Sequence, residues 1–368
     1  MSKTRYKALG LMSGTSLDGV DAAIIETDGE TVFSFKDTYF RPYTQGEQDV
    51  LHAATQAALT WNFNGAPPNV FAQAEAIIHQ AHIEAAQALM ADDMDIIGFH
   101  GQTVLHRPAA LGQKGQTLQL GDGQVLANAL GVDVVYDFRT KDVHAGGQGA
   151  PLAPIYHQAM LEKSQIVLPA AVLNIGGVSN VTLVTDEGEL LATDCGPGNG
   201  PLDSWVQICG HGSYDRDGVL ALAGVPDFAL IDTWLSREFF PKPVPKSADR
   251  WDFDVLADLK SHTPENGAAT LVGFTAMAIA HTFGQYGLAA KAIIVCGGGR
   301  KNPAIMAGLR AQNIGEIISA EQAGWRGDDL EAEAFAYLAV RSVRGLPISY
   351  PATTGVEEPI SGGILTKA

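Results

Sequence analysis

A carboxylate fixed at a strand end beside a rigid turn can take a proton from a hydroxyl or a water. Asp194 has this setting, because Asp194-Cys195-Gly196-Pro197-Gly198-Asn199 follows the strand-like stretch 189–193. The same Asp could cap a helix that begins near Pro201. Near the start of the chain, Gly14, Thr15, Ser16, Leu17, Asp18, Gly19, Val20 and Asp21 combine what a phosphate cradle requires. Glycines let backbone N–H groups approach an anion, and hydroxyls donate to it. An ordinary hairpin turn would use the same residues. A run of three glycines, Gly297-Gly298-Gly299-Arg300, lies between an apolar strand and a helix starting at Pro303. Close backbone approach to a phosphate or an adenosine accounts for it, and so does a plain strand-to-helix turn. His100-Gly101-Gln102-Thr103 and His106-Arg107-Pro108 gather polar groups at a strand end, where open α/β sheets bind ligands. Hydrogen-bonded loop histidines are the alternative, and the spacing offers no third and fourth zinc ligand. Arg139 could donate in a bidentate fork to a substrate carboxylate, or pair structurally with Asp137 or Asp142.

The elements that would position these groups follow from periodicity. Short apolar runs at 8–12 and 20–25 flank the first turn and predict a β-hairpin, extended to a meander by a strand at 31–35. The stretch 67–91 opens on a double proline, Pro67-Pro68, after which Phe71, Ala74, Ile77, Ile78, Ala81, Ala85 and Leu89 recur at helical spacing. Strands at 96–99 and 132–136 bracket a helix at 124–130. The glycine-rich loop 145–151 breaks the pattern and marks the expected domain junction. The second half repeats the first: a strand at 170–175, a Gly176-Gly177-Val178-Ser179 turn, a return strand at 180–184 and a third at 189–193. Helices at 268–286 and 328–341 and a strand at 292–296 complete it. Two halves with the same opening predict a duplicated α/β nucleotide clamp with the cleft between them.

Composition narrows the classes of function. The chain has 368 residues, 46% hydrophobic and 18% charged, with a formal charge of −17. That is long enough for about two well-cored domains. The acidic balance argues against nucleic acid or an anionic membrane as partner, since both need a basic footprint. The basic N-terminus lacks the apolar core of a signal peptide, no stretch of about 18 apolar residues occurs, and the expected location is the cytoplasm. Cys195, Cys209 and Cys296 fit neither a disulfide framework nor a zinc knuckle, and read as reduced thiols. No GxxxxGK[ST] loop and no protein-kinase signature set are present.

The motifs taken together resemble the anhydro-N-acetylmuramic acid kinase family. They are Gly10-Leu11-Met12-Ser13-Gly14-Thr15-Ser16-Leu17-Asp18-Gly19-Val20-Asp21, Gly101-Gln102-Thr103, Asp137-Phe138-Arg139, Gly146-Gly147-Gln148-Gly149-Ala150-Pro151-Leu152, Asn174-Ile175-Gly176-Gly177, the Asp194 motif and Gly297-Gly298-Gly299, in the family's order. The resemblance implies a two-lobed actin-like fold, a duplicated ribonuclease H-like ATPase with a central cleft. Its lobes would be 1–143 plus 345–368 and 144–344. It also implies ATP-dependent conversion of 1,6-anhydro-N-acetylmuramic acid to N-acetylmuramic acid 6-phosphate in bacterial cell-wall recycling. Under it, Gly14 to Asp21 and Gly297, Gly298 and Gly299 would bind ATP with Mg2+, and Asp194 would be the base that activates water. Thr103, Arg139 and Glu331 would contact the sugar, Arg139 through its lactyl carboxylate. The metal ligands are left undetermined, and a homodimer is left open. A non-catalytic sugar sensor and an ATP-independent glycoside hydrolase are the competing readings; the latter would need a pair of acids flanking the bond. The sequence departs from the family pattern at Ala248, Asp249 and Trp251, where Thr, Gly and Glu are usual, at Cys195, where Thr is usual, and at His144, where a small residue is commoner.

Overall fold

The computed structural model describes residues 5–91, 93–108, 114–248, 250–287 and 289–368; Asp249, one of the departures, lies outside them. In chain order the elements are β1 (Tyr6–Ser13), β2 (Gly19–Thr27), β3 (Val32–Pro42), α1 (Gln45–Trp61), α2 (Val70–Leu89), β4 (Ile96–Arg107), β5 (Gln116–Leu120), α3 (Gly123–Leu130), β6 (Val134–Tyr136), α4 (Thr140–His144) and α5 (Pro154–Lys163). Then come β7 (Ala170–Ile175), β8 (Val178–Val184), β9 (Leu190–Pro197), α6 (Gly200–Ile208), α7 (Val219–Ala223), α8 (Phe228–Leu235), α9 (Pro264–Tyr286), β10 (Ala292–Cys296), α10 (Pro303–Ala311) and β11 (Glu316–Ser319). The chain closes with α11 (Leu330–Val343), α12 (Pro351–Thr354) and β12 (Ile364–Thr366).

Two compact units result, Met1–Lys163 with Asp329–Ala368, and Ser164–Asp328. The expected boundaries, 143/144 and 344/345, both fall inside the first unit. The reason is packing: α5 lies on β3 and α11, and α11 covers β1, β2 and β4. The glycine-rich loop 145–151 also belongs to this unit, where the Asp142 carboxylate accepts from the Gly149 N–H (2.6 Å) and from the Thr354 hydroxyl (2.6 Å).

The first sheet runs β12-β6-β4-β1-β2-β3, with β5 paired to β4. β1, β2 and β3 form an antiparallel meander, while β4 runs parallel to β1 and β6 parallel to β4. Alternation along β1 sends Leu9 and Leu11 into a core shared with α1 and α2, and turns Gly10 toward α11. No side chain fits there: a Cβ on Gly10 would stand 1.7 Å from the Ala332 carbonyl oxygen, and one on Gly98 of β4 would stand 2.1 Å from that of Phe335. α1 begins at a Thr44–Glu47 capping box and stops at Asn62, whose left-handed φ of 43° ends the helix.

The second sheet, β11-β10-β7-β8-β9, repeats that order and those directions. Its core joins the inward faces of β7 and β10 to α6, α8, α9 and α10. Among the described residues, α9 is the single unbroken helix long and apolar enough to cross a membrane, and most of it is buried in this core.

Candidate functional site

In the first unit, the β1–β2 turn is held from below. The buried Ser13 hydroxyl donates to Gln102 Oε1 (2.5 Å), and Gln102 Nε2 donates to the Gly14 carbonyl (3.1 Å). The Leu17 N–H closes the turn on the Gly14 carbonyl (3.2 Å), with Leu17 in the left-handed region (φ 56°) and its side chain buried. Val20 is buried as well. Thr15, Ser16 and Asp18 are exposed, and the Ser16 hydroxyl donates to Asp18 Oδ1 (2.7 Å). Toward an anion, Thr15 and Ser16 can offer hydroxyls besides backbone N–H groups, whereas the Leu17 N–H is already donated to Gly14.

Arg139, half-buried just after β6, pairs with neither Asp137 nor Asp142. Its Nε and Nη2 both donate to His100 Nε2 (3.1 and 2.9 Å), and its Nη1 donates to the Gly149 carbonyl (2.7 Å). Burial pulls the guanidinium down to about 10, against the pull of Glu331 and Asp142, so it stays charged at neutral pH. His100 is buried against Phe335, 4.6 Å between rings, and its Nδ1 lies 2.7 Å from the Gly101 carbonyl. Burial and the Arg139 charge hold this imidazole well below the usual histidine range, hence neutral. Glu331 is exposed in the first turn of α11; the surrounding protein raises its carboxyl and the Arg139 charge lowers it. On β4, Thr103 accepts from Gln119 Nε2 (3.2 Å). His106 is also tied down, Nδ1 to Thr117 Oγ1 (3.0 Å) and Nε2 to the Gln148 carbonyl (2.8 Å). His100, Gln119, Asp137 and Thr140 border a cavity of about 150 Å³.

In the second unit, Asp194 lies on β9 and caps no helix. The N-cap of α6 is Asn199, and Asp194 Oδ2 accepts from the Ala248 N–H (2.8 Å). Loss of solvation pushes the carboxyl up to about 7, with the Ala248 bond opposing and Asp252 adding to the shift. The loop carrying Ala248 is pinned through Lys246. Its backbone N–H donates to Thr193 Oγ1 (2.8 Å), its carbonyl accepts from the Asp194 N–H (3.0 Å), and its ammonium donates to the Phe240 carbonyl (3.0 Å) and Gln285 Oε1 (2.9 Å). Burial lowers that ammonium to about 8. Cys195 is buried, and burial pushes its thiol up, which disfavours the thiolate.

Gly297, Gly298 and Gly299 do not share one environment. Gly297 has φ 72° and its Cβ would meet Asn174 Oδ1 at 2.3 Å, and a Cβ on Gly299 would meet Ile175 at 2.4 Å. Both are packing glycines against the end of β7. Gly298 is exposed, with Asn199 Nδ2 3.4 Å from where its Cβ would be. Arg300, to which the sequence reading gave no role, fastens this turn. Its buried guanidinium donates to the Gly297 carbonyl (2.9 Å) and pairs with Glu321 (2.7 Å) and Asp328 (3.0 Å). Gln102 was named within the polar group after His100, and the structure gives it a role that its type did not reveal, holding the β1–β2 turn through Ser13 and Gly14.

Paired sheets of one strand order, each opening on a hairpin with a small-residue turn, define a duplicated ribonuclease H-like architecture, that of the actin-like ATPases and sugar kinases. Comparison of the sequence with known families narrows the class. Residues 6–368 match the family described as anhydro-N-acetylmuramic acid kinase. Proteins of that name are similar to it throughout: one from Caulobacter vibrioides is 47% identical over 97% of this chain and 98% of its own length. One from Phenylobacterium zucineum is 46% identical over 97% and 98%, and one from Brucella anthropi 45% over 97% and 98%. The chain belongs to the anhydro-N-acetylmuramic acid kinase family.

Proposed function

We propose that the chain is a cytoplasmic sugar kinase of cell-wall recycling that consumes ATP and water to convert 1,6-anhydro-N-acetylmuramic acid into N-acetylmuramic acid 6-phosphate and ADP. The family match along residues 6–368 carries this reading, and the environment of Asp194 supports a base at the centre of it. A carboxyl near 7 is suited to accept a proton at neutral pH. The Asp194 carboxylate takes a proton from water as the water oxygen bonds C1, and the C1–O6 bond breaks. The departing O6 bonds the γ-phosphorus, ADP leaves, and Asp194 returns its proton to solvent. Capture of O6 by phosphorus removes the need for a second carboxylic acid to protonate it, which is why one carboxyl suffices.

Thr15 and Ser16 hydroxyls with the Gly14 to Asp21 backbone, and the exposed Gly298, are the groups we assign to ATP; Thr103, Arg139 and Glu331 are those we assign to the sugar. Among the described residues no group of three His, Cys, Asp or Glu side chains could hold a metal. Mg2+ would enter with the nucleotide and would screen the charge of phosphoryl transfer. The deciding experiment is turnover in 18O-enriched water with ATP and Mg2+. Product carrying one label at C1 and one phosphate, with one ADP released per sugar, supports both halves of the chemistry. Sugar opened without ADP release would return the chain to the glycoside hydrolases, and bound sugar without turnover to the sensors.

A further inference from the structure

Of the groups around Arg139, His100 has no part in the chemistry above, yet it takes the whole Nε–Nη2 edge of the guanidinium. The hydrogen-bonding logic fixes its state. The Gly101 carbonyl can only accept, so His100 Nδ1, 2.7 Å away, must carry a proton. Arg139 can only donate, so Nε2 must present its lone pair. Both hold at once only in the neutral Nδ1–H tautomer. The third contact, to the Gly149 carbonyl, is also to a neutral acceptor. Three of the five guanidinium N–H groups are thereby used, which leaves one on each terminal nitrogen, and no carboxylate among the described residues lies within ion-pairing distance. Proteins commonly orient a buried guanidinium with Asp or Glu, which also cancels its charge. Here no carboxylate takes part in the orientation, and Glu331 and Asp142 act on the charge without a direct bond.

We infer that His100 is a positioning and specificity residue: as a neutral acceptor it aims the Arg139 guanidinium while leaving its charge and two N–H donors free, and so selects a sugar that bears a carboxylate. This rests on Arg139 being the partner of the substrate's lactyl carboxylate. Glu331 and Asp142 are the charged groups that act on Arg139 across the same unit, and neither takes its donors.

The test compares KM for 1,6-anhydro-N-acetylmuramic acid and for its methyl ester across four variants, with thermal melts to confirm folding. His100→Met removes the acceptor, and its KM for the acid should rise about tenfold more than its KM for the ester, the worth of a charge-assisted contact. His100→Gln returns an acceptor oxygen near the place of Nε2 and should keep the acid preference within about threefold. His100→Glu also accepts but neutralises Arg139, and should lose the preference. Equal KM rises for acid and ester in His100→Met, or an undiminished acid preference in His100→Glu, would overturn the inference, as would a His100→Gln variant as impaired as His100→Met. Arg139→Met separates the two claims. Lost preference there with an unaffected His100→Glu sinks the role of His100 alone, whereas a preference that survives Arg139→Met sinks the assignment of Arg139 itself and the inference with it.

Discussion

At Asp194, burial that raises the carboxyl should be readable in both rate and stability. Asp194→Asn removes the base, and turnover of sugar and release of ADP should both fall by about a thousandfold or more while ATP affinity stays within a few-fold. Isothermal titration with a non-hydrolysable nucleotide and a coupled ADP assay check the two parts. In the native enzyme the active form is the carboxylate, so kcat/KM should fall as pH drops through about 7, tenfold per pH unit on the acid side. The stability effect has the opposite sense. Since the folded carboxyl binds its proton more tightly than the unfolded one, this group favours the folded state at low pH and loses that contribution as pH rises toward 7. Asp194→Asn should therefore raise the melting temperature more at pH 8 than at pH 5, and a shift of equal size at both would mean that the carboxyl is not desolvated. The candidate base was legible in the sequence because Asp194 precedes a Gly-Pro-Gly-Asn turn. Its hydrogen-bond donor was not, since Ala248 contributes a backbone N–H from a loop 54 positions away, and a backbone group leaves no mark on residue type. For the same reason Arg139 could be named as a carboxylate fork, while the choice between Asp137, Asp142 and the imidazole that holds it required coordinates.

Elements were readable where the periodicity was strong. The helix expected at 67–91 is α2, the one at 124–130 is α3, and both hairpins stand where small-residue turns predicted them. α1 went unread although Thr44-x-x-Glu47 is a capping signal; its apolar residues recur at helical spacing as clearly as those of α2, but it is the more polar helix of the two. The strand at 96–99 continues to Arg107, since β5 supplies a partner from beyond its end that a local pattern cannot reveal. Close approach of α11 to the first sheet depends on two glycines in strands, positions that propensity would disfavour. Gly10→Ala or Gly98→Ala should each cost about 3 kcal/mol or more, because the obstructing atoms are helix carbonyls and not pliable side chains. Urea denaturation checks this, and a loss below about 1 kcal/mol would show that α11 can shift without penalty.

For the molecule as a whole, one unit is a continuous stretch of chain and the other is not. Ser164–Asp328 contains its five-stranded sheet, its helices and its core. Expressed alone, it should fold and melt cooperatively in circular dichroism, whereas residues 1–163 without α11 should not. A featureless melt for 164–328 would refute that autonomy. The resemblance already implied a first lobe rejoined by the segment 345–368; what it left in the second lobe is α11, because the return of that helix to β1 and β4 is a long-range contact with no local signature. The glycine seats on β1 and β4 are made early and filled late. On the ribosome, the opening meander emerges first yet must wait, one face bare, until the segment that closes it has been translated after the entire second unit. Slow elongation through the codons of the second unit would then prolong the time during which the nascent chain needs a chaperone.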